Sequence, residues 1–144
     1  MDLQDLSDRL EINDLLTRYA DAVDRKDWDQ LATCFTADAT IDYSASGGAA
    51  GVFPDVRDWL ATTMLLFTMT QHFVTNSRVE LNGDEAEGRA YFYNPMTLSG
   101  ADGGTDFLIV GGYYNDRYRR TTDGWRIIDR REEMAFMDGP FRRT

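Results

Sequence analysis

The sequence predicts an α+β fold in which helices come first and a mostly antiparallel sheet follows. Apolar residues recur at three- and four-residue spacing through the first 25 residues, which is the period of an amphipathic helix. From residue 71 onward, four strand-like runs follow one another, separated by the turn sequences NGD, SGADGG and TTDG. This order favours helices laid on one face of a strongly curved sheet, and such a cone encloses a pocket.

Three helices are predicted ahead of the sheet. The first runs from Leu3 to about Arg25, and the second is the short piece DWDQLATCF, whose start Asp27 can cap. The third is FPDVRDWLATTMLLF, in which Pro54 suits the first turn. Between the second and third helices, ATIDYS alternates as a strand does, and the small residues of ASGGAAG end it.

The four later runs predict an antiparallel meander. They are QHFVTNSRVEL, EAEGRAYFYNPMTL, TDFLIVGGYYNDRYRR and GWRIIDRREEMAFM. Neither a fixed-period repeat nor a linker interrupts the chain, so residues 1–144 are predicted to form one domain with one core.

Composition excludes several classes of function. No apolar run approaches the ~20 residues that a bilayer crossing needs, so a membrane protein is not expected. The net charge of −10, from 15 basic and 25 acidic residues, argues against nucleic acid as a partner. The N-terminus lacks the positive start of a secretory signal, and the single cysteine forms no intrachain disulfide, so a cytoplasmic location is expected.

The only histidine, His72, lies in the stretch TQHFVTN, which is predicted to be a half-buried strand. Alternation would place Val74 and Asn76 on the same face as His72, and Phe73 on the other. If the shared face is concave, the imidazole faces the pocket, where it could take a proton near neutral pH. The alternative is a structural histidine with satisfied hydrogen bonds.

Asp24 is the candidate partner of His72, because it closes the first helix at the margin of the apolar stripe. A carboxylate bonded to one imidazole nitrogen fixes the tautomer and presents the other nitrogen to a substrate. An ordinary helix-end charge is the alternative, although a negative charge at a helix C-terminus is mildly unfavourable.

Tyr19 and Arg130 are further candidates. Tyr19 lies near the centre of the apolar stripe, where a phenol can pack in the core and still offer its hydroxyl to a ligand. Arg130 alternates with Arg126, Ile128 and Glu132 in the last strand, and an inward arginine would bind an anion or a leaving group. A solvated strand face with cross-strand ion pairs is the other interpretation of this run.

Aromatic residues are frequent on the predicted strands, where they could line a pocket for a ring-shaped substrate or form sheet core and subunit contacts. The residues expected to bind the substrate are Trp59, Phe73, Val74, Asn76, Phe92 and Tyr113. A lone histidine and a lone cysteine cannot supply a common zinc site, so no metal is expected. No phosphate- or dinucleotide-binding motif occurs, and no cofactor is expected.

The segments LEINDLLTRYADAVDRKDWDQLATCFTADATIDY, TQHFVTNSRVEL and YRRTTDGWRIIDRREE resemble the SnoaL-like branch of the nuclear-transport-factor-2-like superfamily. The resemblance covers nearly the whole chain and implies a cone of curved antiparallel sheet closed by helices. Dehydratases and a dehydrochlorinase of that superfamily use a His/Asp pair to remove a proton during elimination, and the matching residues are His72 and Asp24. The dehydrochlorinase's last-strand arginine matches Arg130, and its active-site lysine is replaced by Tyr19.

The resemblance implies a cofactor-independent lyase of dehydratase type that acts on a small hydrophobic cyclic substrate. His72 would be the base, Asp24 would orient it, and Tyr19 and Arg130 would stabilise the developing charge or the leaving oxygen. A cyclase or isomerase using the same pair, and a non-catalytic small-molecule-binding protein, are the alternatives. A homo-oligomer, a trimer before a dimer, is expected from the family.

Overall fold

The computed structural model describes residues 1–140, and it confirms the α+β prediction. Three helices pack on one large, curled, open sheet of seven strands. In chain order the elements are α1 (Leu3–Arg25), α2 (Trp28–Ala32), β1 (Phe35–Asp42), β2 (Ala50–Val52), α3 (Phe53–Thr63), β3 (Met69–Thr70), β4 (Phe73–Asn82), β5 (Glu85–Ser99), β6 (Thr105–Thr121) and β7 (Gly124–Asp138). The end of the C-terminal sequence GPFRRT, residues 141–144, lies outside the described residues.

The long strands form the predicted antiparallel meander. Strands β4 to β7 pair with their sequence neighbours, β3 also pairs with β5, and β2 pairs with β1. Strand β1 lies parallel to β7, which makes the sheet mixed. The inward face of this sheet and the apolar face of α1 enclose the hydrophobic core.

The first helix is held by both its caps and its buried stripe. The Asp2 carboxylate accepts a hydrogen bond from the Asp5 N–H at 2.8 Å, and Lys26 closes the helix in the left-handed conformation. Ile12, Leu15 and other stripe residues are fully buried, and each such side chain contributes about 1.5–3 kcal/mol on burial. Within residues 1–140, no helix is both long and apolar enough to cross a membrane.

Two local predictions differ from the structure. Phe35 was expected on the second helix but begins β1, because its pairing with Ile127 of β7 and its place in the core outweigh helical spacing. His72 was expected inside a strand but lies between β3 and β4, in the two-residue link that starts after Thr70. The third helix ends at Thr63, and a short 3₁₀ turn continues it to residue 66.

Bulges decide which side chains of β7 point into the cone. Ile127 pairs with Tyr118 of β6, and Asp129 pairs with Arg117, the neighbour of Tyr118. Ile128 has no partner in β6 and is the extra residue of the bulge. The fully buried positions are therefore odd-numbered before the bulge and even-numbered after it, as at Ile127 and Arg130. The simple alternation of Arg130 with Arg126 does not hold for this reason.

The outer face of the sheet carries exposed aromatic side chains. Phe73, Tyr91, Tyr93, Phe107 and Phe136 are each at least 44% exposed. Several contact rings on other strands: Tyr93 meets Phe73 and Phe136, and Tyr91 meets Tyr113. The expected homo-oligomer stays a prediction.

A buried carboxylate joins α1 to the end of the meander and predicts acid sensitivity. Asp8 accepts hydrogen bonds from Arg120 at 2.6 and 2.8 Å and from the Trp125 indole at 3.0 Å. These contacts, that of Arg120 foremost, lower the pKa of Asp8 from 3.8 to about 2. A lowered folded-state pKa stabilises the protein above the unfolded pKa, and this stability is lost as the pH falls through the folded pKa.

We therefore expect wild type to exceed Asp8→Asn in free energy of unfolding by a constant amount above pH ~4. The difference should shrink as the pH falls towards about 2. Urea unfolding of both proteins at a series of pH values measures it. A difference that stays constant down to pH about 2 would contradict the assignment.

Candidate active site

A cavity of about 190 Å³ opens between the helices and the concave face of the sheet. Its walls come from α1, from the loop around residues 46–48, from α3 and the turn after it, and from β5, β6 and β7. Most lining side chains are apolar, among them Val23, Leu60, Met96 and Leu108. The polar minority is therefore the part that can orient a ligand.

His72 lines this cavity and is bonded to Asp24. The Nδ1 of His72 lies 2.6 Å from Oδ1 of Asp24, and the backbone N–H of His72 donates to Oδ2 at 2.8 Å. The hydroxyl of Thr70 donates to Oδ1 at 3.0 Å. Asp24, in the last turn of α1, therefore fixes both the imidazole ring of His72 and the backbone of the link between β3 and β4.

The charge of Asp24 sets the tautomer of His72. Burial raises the pKa of Asp24, but the hydrogen bonds from His72 and Thr70 outweigh it, and the net pKa is lowered. An ionised carboxylate only accepts hydrogen bonds, so Nδ1 carries the proton. In the neutral imidazole, Nε2 then keeps a lone pair for a ligand in the cavity.

Two tyrosines form the next polar group of the wall. The hydroxyls of Tyr19 and Tyr43 lie 2.7 Å apart, and both residues line the cavity. Burial raises the pKa of each phenol well above its usual 10, so both stay protonated at neutral pH. The Tyr19 hydroxyl is also hydrogen-bonded to that of Tyr114, which lines the cavity as well, so the three hydroxyls form one chain. The ring of Tyr19 also meets that of His72 edge to face, at 6.3 Å between centroids.

Arg130 lies behind this wall, not in it. It is fully buried and forms a two-pronged ion pair with Asp116, with both bonds 2.8 Å long. Its guanidinium carbon lies 4.2 Å from the Tyr19 ring centroid and 3.9 Å from that of Tyr114. Arg130 is not among the described residues that line the cavity, so it contacts the site through the tyrosine rings.

Of the six predicted substrate-binding residues, Trp59 and Phe92 line the cavity and four others do not. Phe73 is exposed on the outer face, where it pairs with Tyr93. Asn76 has a φ of 48° at a bulge in β4, and this bulge breaks the alternation that placed it beside His72. Val74 packs against the core, and Tyr113 meets Tyr91 edge to face on the outer side of the sheet.

A larger depression of about 450 Å³ lies on the outer face of the sheet. Charged side chains such as Arg78 and Glu87 line it, and Arg89 there is paired with Glu133 at 2.7 Å. Those charges neutralise one another in contact with solvent, so the concave cavity is the better candidate site. Within residues 1–140, no three His, Cys, Asp or Glu side chains come together as metal ligands.

Residues 4–131 match the SnoaL-like domain. The chain belongs to the SnoaL-like family. The cone-shaped sheet with helices over its open side is the fold that this family shares with the nuclear-transport-factor-2-like superfamily.

Relatives of this SnoaL-like chain cover nearly its whole length. It is 40% identical over 136 residues to Rv2910c of Mycobacterium tuberculosis (strain ATCC 25618 / H37Rv), an uncharacterized protein, covering 94% of this chain and 91% of the relative. The crystal structure of Kfla4162 from Kribbella flavida superposes with a TM-score of 0.84 at 29% identity, covering 92% and 93% of the two chains. A type 2 hexachlorocyclohexane dehydrochlorinase (LinA) superposes with a TM-score of 0.83 at 23% identity, covering 96% and 93%, which shows the shared fold.

Sequence reasoning gave no site role to several polar residues that line the SnoaL-like cavity, among them Tyr43, Asn94 and Glu132. Asn94 could have been found, because it alternates with Phe92 and Met96 and so interrupts an inward apolar row in β5. Simple alternation already puts Glu132 on the face of Arg130, but no motif in the sequence marks it as a site residue.

Proposed function

We propose that this protein is a cofactor-independent lyase of dehydratase type that acts on a small hydrophobic cyclic substrate. The observation that carries the proposal is the 2.6 Å contact of His72 Nδ1 with Asp24. This contact leaves the other ring nitrogen of His72, a residue that lines an apolar cavity, available to a substrate. His72 is the general base and Asp24 its orienter. A small ring suits the volume of about 190 Å³, since an apolar cavity of ~150 Å³ accommodates benzene in another protein.

In the proposed reaction, Nε2 of His72 removes a proton from a carbon next to an activating carbonyl. Asp24 stabilises the imidazolium that forms, because its charge lies within hydrogen-bond distance of Nδ1. The electron pair then expels the β-hydroxyl, which takes the proton from the His72 imidazolium and leaves as water. The apolar walls exclude bulk solvent, which strengthens each of these electrostatic interactions.

The tyrosine hydroxyls are proposed to stabilise charge on oxygen. The hydroxyl of Tyr114, at the end of the chain that joins it to Tyr19 and Tyr43, can donate a hydrogen bond to an oxygen on which negative charge develops. Arg130 supports this role from behind the rings of Tyr19 and Tyr114. We therefore place Arg130 as a positioning residue.

The type of leaving group follows from the residue at position 19. The dehydrochlorinase shares the fold at 23% identity, and the resemblance implies a lysine where this chain has Tyr19. A phenol cannot stabilise a departing chloride as a cation does, whereas it can donate a hydrogen bond to oxygen. This difference favours dehydration over loss of halide.

An isomerase or cyclase would use the same base and orienter, because both begin with removal of a proton next to a carbonyl. A binding protein of the same fold would need neither a defined tautomer nor a free Nε2. The open cavity beside His72 favours the catalytic interpretations.

The tautomer of His72 provides the first test of the dyad. In wild type, nitrogen-15 NMR should show that the neutral form of the single imidazole carries its proton at Nδ1, because the Asp24 carboxylate can only accept. In Asp24→Asn the amide can donate or accept, so the Nδ1 preference should weaken or reverse. Asp29→Asn, which changes an exposed carboxylate in α2, is the matched control. A tautomer equilibrium identical in all three proteins would contradict the proposed role of Asp24.

A further inference from the structure

One carboxyl group in the cavity has an oxygen atom to which the His72–Asp24 pair gives no role. Glu132 is 9% exposed, lines the cavity, and its Oε1 is buried without a hydrogen-bond partner among residues 1–140. An orphaned buried carboxyl oxygen costs free energy unless something else satisfies it. A group at this position is therefore expected to receive a partner from the ligand.

The bulge in β7 directs Glu132 into the cone. The extra residue, Ile128, turns the even-numbered side chains that follow it inward, and Glu132 then lies directly opposite Tyr114 of β6. Tyr114 meets Tyr19 edge to face at 5.7 Å, and Tyr19 meets His72 in the same way at 6.3 Å. His72, Tyr19, Tyr114 and Glu132 therefore belong to one continuous wall of the same cavity.

The surroundings of Glu132 favour its neutral form. Burial raises the pKa of Glu132, and the charge of Asp42 adds to this effect. Hydrogen bonds from Ser46 and the charge of Arg130 act in the opposite direction and are outweighed. Arg130 is already neutralised by its two bonds to Asp116. A neutral carboxyl is a hydrogen-bond donor, which a carboxylate is not.

We propose that Glu132 is the carbonyl-binding acid of the site and that the substrate class is cyclic ketones with a proton on the carbon next to the carbonyl. This inference rests on the proposed function and names the group that makes the proton removable. Glu132 touches the carbonyl oxygen, whereas His72 acts on the neighbouring carbon. The ring of the ketone packs against the tyrosine rings of the same wall.

The step balances without any co-reactant. The C–H bond breaks, its proton forms an N–H bond on Nε2 of His72, and its electron pair becomes the C=C bond of an enolate. The carbonyl π pair moves onto oxygen, where the Glu132 O–H stabilises the negative charge by a hydrogen bond. Return of the proton from His72 to carbon regenerates the ketone. In the elimination, the enolate collapses to the carbonyl, a C=C bond forms to the β-carbon, and the departing β-hydroxyl takes the proton from His72 and leaves as water.

Hydrogen exchange of cyclohexanone in D₂O tests this step without needing the natural leaving group. Deuterium entry at the carbons next to the carbonyl is followed by proton NMR, with the buffer rate subtracted. Wild type should accelerate exchange, and Glu132→Leu should lower the acceleration by about 10²–10³-fold, the usual effect of removing one donor to an oxyanion. Glu132→Gln should fall between them, because its amide is a weaker donor. Glu133→Leu, on the outer face, is the matched control and should match wild type.

Infrared spectra of bound carbonyl-labelled cyclohexanone supply a second readout that needs no turnover. The carbonyl stretch should move to lower frequency in wild type, and this shift should disappear in Glu132→Leu. If His72→Ala abolishes exchange while Glu132→Leu matches wild type, the inference on Glu132 is overturned and the proposed function stands. A carbonyl shift that depends on Glu132 without any exchange would keep the subsite and reject the lyase. Neither exchange nor shift in wild type would reject both.

Discussion

Replacing His72 with alanine should lower turnover of any ring compound that the wild-type protein eliminates by about 10²–10⁴-fold, the usual contribution of a positioned general base. The reason is geometric, because Nδ1 of His72 is held 2.6 Å from Asp24, and Glu132, the carboxyl among the described cavity residues, is assigned to the carbonyl oxygen. No other imidazole exists in the chain to take over the proton. Elimination is measured as the absorbance of the conjugated product, starting from hydroxy ketones and halogenated rings.

The fold should survive this substitution. In His72→Ala, the backbone N–H of residue 72 and the Thr70 hydroxyl can still donate to Asp24, so two of the three hydrogen bonds to this carboxylate remain. Circular dichroism and thermal unfolding should therefore stay close to those of wild type. A folded His72→Ala protein with full turnover would show that another group removes the proton, and the lyase mechanism would fail.

The pattern of apolar spacing was sufficient to predict most of the fold. Period 3.6 marked α1 to its last residue, Arg25, and the Asp27 side chain caps α2 as expected, accepting from the Gln30 N–H at 3.0 Å. These features are local, so short windows of sequence contain them. The turns between the long strands are local as well, which is why the meander was predictable.

The positions of the site residues depend on more than local order. Asp24 and His72 come together because the end of α1 meets the start of β4, and the place of Asp24 at the helix end and the family resemblance both suggested this pair. The direction of Asn76 and Glu132 depends on bulges, which depend on pairing with strands far along the chain. Single-strand alternation therefore placed Asn76 in the pocket, and although it put Glu132 on the face of Arg130, nothing in the sequence assigned Glu132 a role.

The burial of Arg130 also depends on a bulge that the sequence does not reveal. Its substitution has the second large expected effect. Replacing Arg130 with methionine should lower the free energy of unfolding by about 3–5 kcal/mol, because the Asp116 carboxylate is then left buried without its ionic partner. Both side chains are completely shielded from solvent, so water cannot compensate for the lost charge. Urea unfolding followed by fluorescence measures the change, and an unaltered m-value would confirm that the two states remain comparable.

The double variant Arg130→Met, Asp116→Asn separates loss of the charge pair from loss of packing. It removes both charges, and the amide oxygen introduced at position 116 can still accept the hydrogen bond that the Tyr118 hydroxyl donates to Asp116 at 3.1 Å. We expect the double variant to be more stable than Arg130→Met alone, because no unpaired ion remains in the core. If the two are equally unstable, the packing of Arg130 against the rings of Tyr19 and Tyr114 dominates its contribution. If the folded double variant instead loses as much turnover as His72→Ala, Arg130 acts on the substrate and is a catalytic residue.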